Sequence, residues 1–232
     1  MTFVYLVVIR YLCGMFAKVF IAILTFSASG LLAQPKTAVG QRAEDFVAPN
    51  WKLKEAIAGD MNLDTFSDLV LVVDSPDGER RTLLVLEQTY DHYYRLALSV
   101  EEIAFCAQCG GMLGDPYNPP QIKSGVLTVS NYGGAADRWY ETFTIQFRRG
   151  RYELIGYTVG GFSAVDECHA TDIDINLLTS KARLRKDVPK GTGCETNEQW
   201  TNWKATFPFY LKARNTWKLP SEANFPKFFT TK

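Results

Sequence analysis

The stretch Asp60-Met-Asn-Leu-Asp-Thr-Phe-Ser-Asp68, which runs straight into Leu69-Val-Leu-Val-Val73, constrains this chain more than any other. Leu69–Val73 is a short, wholly apolar run bounded by turn-forming residues, and such a run forms a strand. The turn before it carries oxygen-bearing side chains at its first, third, fifth and ninth positions: Asp60, Asn62, Asp64 and Asp68. That spacing can fold around a hard cation, with the Phe66 carbonyl as a further oxygen ligand. An EF-hand is excluded, because its twelfth position requires an acidic residue and here holds Leu71. The expected arrangement is therefore a loop between two strands, with calcium as its candidate ion.

The rest of the chain carries the same β signature. Trp51-Lys-Leu-Lys-Glu-Ala-Ile57 begins with half-buried alternation, and Asp74-Ser-Pro-Asp-Gly78 is a turn. Arg81–Leu86 and Tyr93–Leu98 continue as strands at hairpin spacing. Phe105 to Pro120 holds three prolines and three glycines, which exclude ladder pairing through most of it. Gln121–Ser130 follows, with a turn at Ser124-Gly125. In Trp139–Arg148, Glu141, Phe143, Ile145 and Phe147 share one face, while Tyr140, Thr142, Thr144 and Gln146 share the other. Arg149-Gly150 turns this strand back into Tyr152–Val159. Asp172–Leu177 alternates as an edge or surface strand, a turn follows at Thr179-Ser180, and Lys181–Lys186 is a basic strand. Asp187–Gly193 is expected as a loop on its Pro and Gly content. The aromatic tail, Trp200 to Phe229, is expected to pack back on the sheet as a strand or short helix. These elements define a mainly β fold: antiparallel meander sheets, a long stapled central loop, and few or short helices.

Residues 1–33 contain no acid, two cations (Arg10, Lys18) and long apolar runs. Val19–Phe26 has the length of a secretory h-region, and Ser27–Ala33 supplies small residues before a cut at Gln34. A start at Met15 would give a complete signal peptide by itself. A membrane anchor over Phe3–Phe26 is the alternative, interrupted by its two cations. Residues 34–49 then read as a flexible lead-in with a helical turn near Ala43–Phe46. Residues 50–232 form a single β-rich domain whose C-terminal segment, about 195–232, is rich in aromatics. Export leaves the protein periplasmic or extracellular, with no membrane span after cleavage. With 25 cations against 25 anions in the whole chain, there is no electrostatic case for nucleic acid.

Cys106, Cys109, Cys168 and Cys194 remain after such processing, and an even number in an exported chain points to disulfides. A four-cysteine zinc site lacks its second C-x2-C half. Redox catalysis at Cys106-Ala-Gln-Cys109 needs a helix start, against which Gly110-Gly111 speaks.

Nothing in the chain spells a catalytic motif. His92 and His169 read as surface or packing residues, and Asp115 in Gly114-Asp-Pro is the first acid to test for glycoside hydrolysis. Tyr90, Tyr93, Tyr94, Tyr117, Tyr132, Trp139 and Tyr140 lie near Gly-rich loops and suit an aromatic-lined surface for glycan or peptide. Asp115, Tyr117, Tyr132, Arg138 and Trp139 are the candidate binding residues.

Asp60, Asn62, Asp64 and Asp68 match the D-x-N-x-D-G-x-x-D pattern of calcium loops in FG-GAP/VCBS-type β-propeller blades, with Thr65 in place of the turn glycine. The turn therefore resembles one such blade loop, and that resemblance implies Asp60, Asn62, Asp64, Phe66 and Asp68 as ligands. More broadly, the turn combined with Cys109-Gly-Gly-Met-Leu-Gly-Asp-Pro116, Tyr132-Gly-Gly134 and Arg138-Trp139 is similar to a group of uncharacterised exported bacterial proteins. That likeness spans about Trp51 to Leu178 and implies a shared fold and export. The resulting expectation is a non-catalytic recognition protein of the bacterial envelope, binding an envelope protein or a glycan.

Overall fold

The computed structural model describes residues 37–202 except Glu167, together with Leu211. The expected signal segment and most of the aromatic tail lie outside the described residues. Twelve strands form two antiparallel sheets. The first contains β1 (Val39–Gly40), β2 (Lys52–Gly59), β3 (Asp68–Asp74), β4 (Arg81–Gln88) and β5 (Tyr94–Glu101), in the order β1-β5-β4-β3-β2. The second contains β6 (Gln121–Lys123), β7 (Val126–Gly134), β8 (Asp137–Arg148), β9 (Arg151–Ser163), β10 (Ala170–Asn176), β11 (Lys181–Lys190) and β12 (Gly193–Asn202), an uninterrupted meander. Helical structure among the described residues is confined to two 3-10 turns, Ala43–Phe46 and Gly111–Leu113.

Strand alternation explains the apolar run that opened the sequence reading. Val70 and Val72 of β3, with Leu83 and Val85 of β4, point into a core shared with Leu127, Phe143, Ile145 and Ile173 of the seven-stranded sheet. Leu71 and Val73, with Leu84 and Leu86, point the other way into a second cluster closed by Phe46. β3 and β4 are thus covered on both faces and have no polar side. Residues 37–49 of the expected lead-in contribute to this cover, since Phe46 on its 3-10 turn is fully buried and Val39–Gly40 pairs with β5.

The tight connections follow from local backbone chemistry. Ser124-Gly125 (φ 51° and 73°) and Arg149-Gly150 (φ 52° and 77°) both place two successive residues at positive φ. Paired positive φ values match the right-handed twist of the strands they join. The hairpin Trp139–Val159 forms as expected, extended to 137–163. Asp187–Gly193 does not form the expected loop: β11 continues to Lys190 and turns at Gly191 into β12. Pro189 is tolerated there because the pairing of β11 with β10 ends at Lys186, so no ladder bond on that side needs its missing N–H.

Asn131 of β7 ties the second sheet to the chain leaving the first. It is 1% exposed. Its Oδ1 accepts from the Phe105 amide at 2.8 Å, and its Nδ2 donates to the Ile103 carbonyl at 2.8 Å. Asn131→Ala strands both backbone groups in the interior, a loss of roughly 2 kcal/mol or more. Urea unfolding should show a lowered midpoint with an unchanged m-value; a wild-type midpoint would refute this role.

Candidate functional site

The irregular segment after β5 is organised by Arg81, whose side chain is 0% exposed. Its Nε donates to Asp74 at 2.5 Å, and its Nη1 donates to the Phe105 carbonyl at 2.6 Å. Nη1 and Nη2 together engage Asp115 in a fork, at 2.9 and 3.1 Å. Lys54 adds a second cation to Asp115 at 2.9 Å. Burial alone would raise the Asp115 carboxyl, but the hydrogen bonds from Arg81 and Lys54 hold it at about 2. Tyr117 belongs to the same cluster: its hydroxyl donates to Glu55, and its ring lies under Lys54 and Arg81. Burial, together with Glu55, pushes that phenol above its ordinary range.

Two glycine motifs that are distant in sequence meet beside this cluster. The Gly134 amide donates to the Gly110 carbonyl at 2.8 Å, and the Gly110 amide donates to the Gly114 carbonyl at 2.9 Å. A Cβ on Gly110 would stand 2.1 Å from the Gly114 carbonyl oxygen, and one on Gly133 would stand 2.5 Å from the Trp139 ring. The Cys-Gly-Gly and Tyr-Gly-Gly segments therefore form one close-packed backbone layer against which Trp139 lies flat.

Trp139 faces a cleft of about 530 Å³ between the two sheets. Trp139 packs on Phe105 with ring centroids 5.5 Å apart. The Cys106–Cys109 disulfide lines the same cleft, as do Arg80, Glu102 and Glu141. Glu141 is 4% exposed and accepts from the Tyr157 hydroxyl at 2.7 Å. The cleft thus combines an aromatic wall with a buried acceptor, a chemistry suited to a ligand with donors on an apolar body.

The five expected binding residues divide among three places. Asp115 and Tyr117 sit in the Arg81 charge cluster, and Trp139 lines the cleft. Tyr132 (39% exposed) and Arg138 lie on the opposite face of the seven-stranded sheet. Phe105 and Glu141 escaped the sequence reading. Glu141 left a signal all the same: it is the one acid on the apolar face of an otherwise regular alternation. Neither His92 nor His169 lines the cleft.

The acidic turn is closed by its own side chains. Asp60 accepts from the Asp64 and Thr65 amides at 3.1 and 2.9 Å, and Asp64 accepts from the Phe66 amide at 2.9 Å. Asp68 is fully buried and accepts from the Met61 and Gln88 amides at 2.8 and 2.9 Å. Burial raises its carboxyl despite those amides. Leu63 and Thr65, where the blade pattern favours glycine, adopt φ 62° and 76°. Among the described residues no three His, Cys, Asp or Glu side chains converge as a metal cage. The other two cysteines among the described residues form a second disulfide, Cys168–Cys194.

The Asp115 carboxyl falls from 3.8 in the unfolded chain to about 2 in the fold. Folding favours its ionised form, so its stabilisation is complete above about pH 4 and is lost as pH falls toward 2. Asp115→Asn should be less stable at pH 7 and lose less stability between pH 4 and 2, as read by denaturant unfolding across that window. Parallel wild-type and variant profiles would refute the linkage. No protein-family model matches the chain, and comparison with curated proteins and with solved structures gave no significant match.

Proposed function

We propose that this chain is an exported, non-catalytic recognition domain of the bacterial envelope, in which the cleft beside Trp139 receives a donor-bearing group of an envelope protein or glycan. The observation that carries this reading is the pairing of the Phe105–Trp139 wall with the buried Glu141 acceptor in one open cleft. Two disulfides support an oxidising compartment, in keeping with the signal-like residues 1–33. No described helix is long and apolar enough to cross a membrane. The resemblance of the acidic turn and the two glycine motifs to those of an exported group fits the same reading.

A second reading, hydrolysis of a cell-wall glycan, draws on the carboxylates of Glu79, Glu102 and Glu141 around the cleft. Asp115 suits it poorly: a carboxyl held at about 2 is ionised at neutral pH and has no proton to give as a general acid. Affinity capture from envelope extract separates the two readings. Wild-type protein should retain a partner that Trp139→Ala and Glu141→Gln lose, with no release of sugar from cell-wall material. Equal capture by all three proteins would overturn the cleft as the site, and sugar release abolished by Glu141→Gln would establish the enzyme.

Calcium belongs to the same proposal as a structural ion. Asp60, Asn62, Asp64 and the Phe66 carbonyl would hold it on the exposed side of the turn, while Asp68 braces the turn from within. The positive φ values of Leu63 and Thr65 support this, because the backbone already has the shape that glycine provides in the blade loops. Millimolar calcium should raise the melting temperature over chelator, and Asp64→Ala should abolish the increment. Identical melting in chelator and in calcium would remove the ion from the account.

A further inference from the structure

We infer that the outer face of the seven-stranded sheet is a second binding surface, for a neutral glycan chain laid across strands β7 to β12; this goes beyond the cleft and does not rest on it. Strand register aligns Tyr132, Tyr140, Gly160, Asp172, Arg185 and Glu198 in one row across six strands. Trp200 and Arg183 stand together in the adjacent row. At about 4.8 Å per strand the row is about 24 Å long, enough for several sugar units.

Aromatic planes are available along this face. A Cβ on Gly160 would lie 2.4 Å from the Tyr140 hydroxyl, so the tip of the half-buried Tyr140 side chain lies over the glycine backbone. Tyr132 and Phe162 stack at 6.5 Å and are 39% and 37% exposed. Trp200 is 63% exposed. Such planes match the C–H faces of pyranose rings.

Between these planes lie buried polar groups whose hydrogen bonding is incomplete. Five buried side-chain polar atoms among the described residues lack a hydrogen-bond partner. Three of them are on this face: Arg138 Nη1, Asp172 Oδ1 and Arg183 Nε. Asp172 is only 8% exposed, and its Oδ1 has an ion-pair contact with Arg185 but no hydrogen bond, a costly state unless something completes it. The ion pairs here are loose, with Arg183 at 3.8 Å from Asp172, 4.0 Å from Asp174 and 3.9 Å from Glu198. Arg185 stands 3.5 Å from Asp172. Asp174 accepts from the Thr158 hydroxyl at 2.8 Å and Glu198 from the Trp200 indole at 2.6 Å, so the bonds left unmade are those of Arg138 Nη1, Asp172 Oδ1 and Arg183 Nε, which bridging hydroxyl groups would complete.

The occupant follows from this chemistry. Arg138, Arg183 and Arg185 are matched by Asp172, Asp174 and Glu198, so the face has no excess charge to select a polyanion. Peptides that add to sheets pair with the backbone of an edge strand; only Glu198 and Trp200 stand on one, β12, while Arg138, Asp172, Asp174, Arg183 and Arg185 stand on inner strands of the face. Mixed donors and acceptors between exposed rings select a neutral polyhydroxyl chain.

The test is retention of purified protein on insoluble cellulose, chitin, mannan and peptidoglycan sacculi. We expect binding to at least one of these, persisting in 0.5 M sodium chloride, with Trp200→Ala and Tyr140→Ala each weakening it about fivefold or more. Loss with Trp200→Ala marks this face, whereas loss with Trp139→Ala alone would assign the glycan to the cleft and overturn this proposal while leaving the cleft reading intact. Trp200 is exposed, so its variant reports on binding whether or not Tyr140→Ala folds. Retention on none of the four, insensitivity to Trp200→Ala, or release by salt as for a polyanion would overturn the proposal.

Discussion

A fully buried guanidinium is the constraint on which the irregular part of this molecule depends. Arg81 cannot reach water, so its charge must be met inside, and Asp74 and Asp115 meet it. Removing one partner of such a group typically costs about 3–5 kcal/mol, because the other charge is left without compensation. The arrangement also does geometric work. Asp74 ends β3, Arg81 begins β4, and the remaining bonds of Arg81 go to the carbonyl of Phe105 and the carboxylate of Asp115. One side chain at the base of a hairpin thus holds both ends of the central loop. Asn131 holds the same loop from the other sheet through the Ile103 carbonyl and the Phe105 amide. Phe105 is gripped at its N–H by one sheet and at its C=O by the other, and this fixes the ring that Trp139 packs against.

Strand alternation then separates two faces of the seven-stranded sheet. Trp139 and Glu141 point inward toward the cleft, while Arg138 and Tyr140, their neighbours in sequence, point outward. One short segment of β8 therefore contributes to both the cleft and the outer face. Glycine makes each possible: Gly133 gives Trp139 a surface to lie on inside, and Gly160 does the same for Tyr140 outside. Both are interior strand positions, where glycine weakens pairing unless a ring covers it. Here a cross-strand aromatic fills the missing volume in both places.

The fold was largely legible in the sequence, because it rests on signals of short range. Period-two alternation in Trp139–Arg148, the Ser124-Gly125 and Arg149-Gly150 turns, and the apolar Leu69–Val73 run each specify their own local geometry. The Asp187–Gly193 region misled because Pro189 is harmful only where a neighbour needs its N–H, and β10 stops short of it. The candidate sites were legible only in part. Asp115 and Trp139 stood out in sequence, but nothing local shows that Arg81, 34 positions earlier, would neutralise the first. The Cys-Gly-Gly and Tyr-Gly-Gly motifs were visible as motifs, yet their contact arises from tertiary packing. Glu141 was visible as an acid in an apolar row, and its meaning required knowing that the row faces a cleft.

The central claim is that Arg81 holds the loop that builds the cleft while the two sheets stand independently of it. Amide hydrogen exchange on Arg81→Met measures this most directly. Protection at Phe105, Gly110, Gly114 and Gly134 should fall at least tenfold further than at the slowest amides of β8, β9 and β10. Unchanged protection in the loop, or loss spread evenly over both sheets, would contradict it.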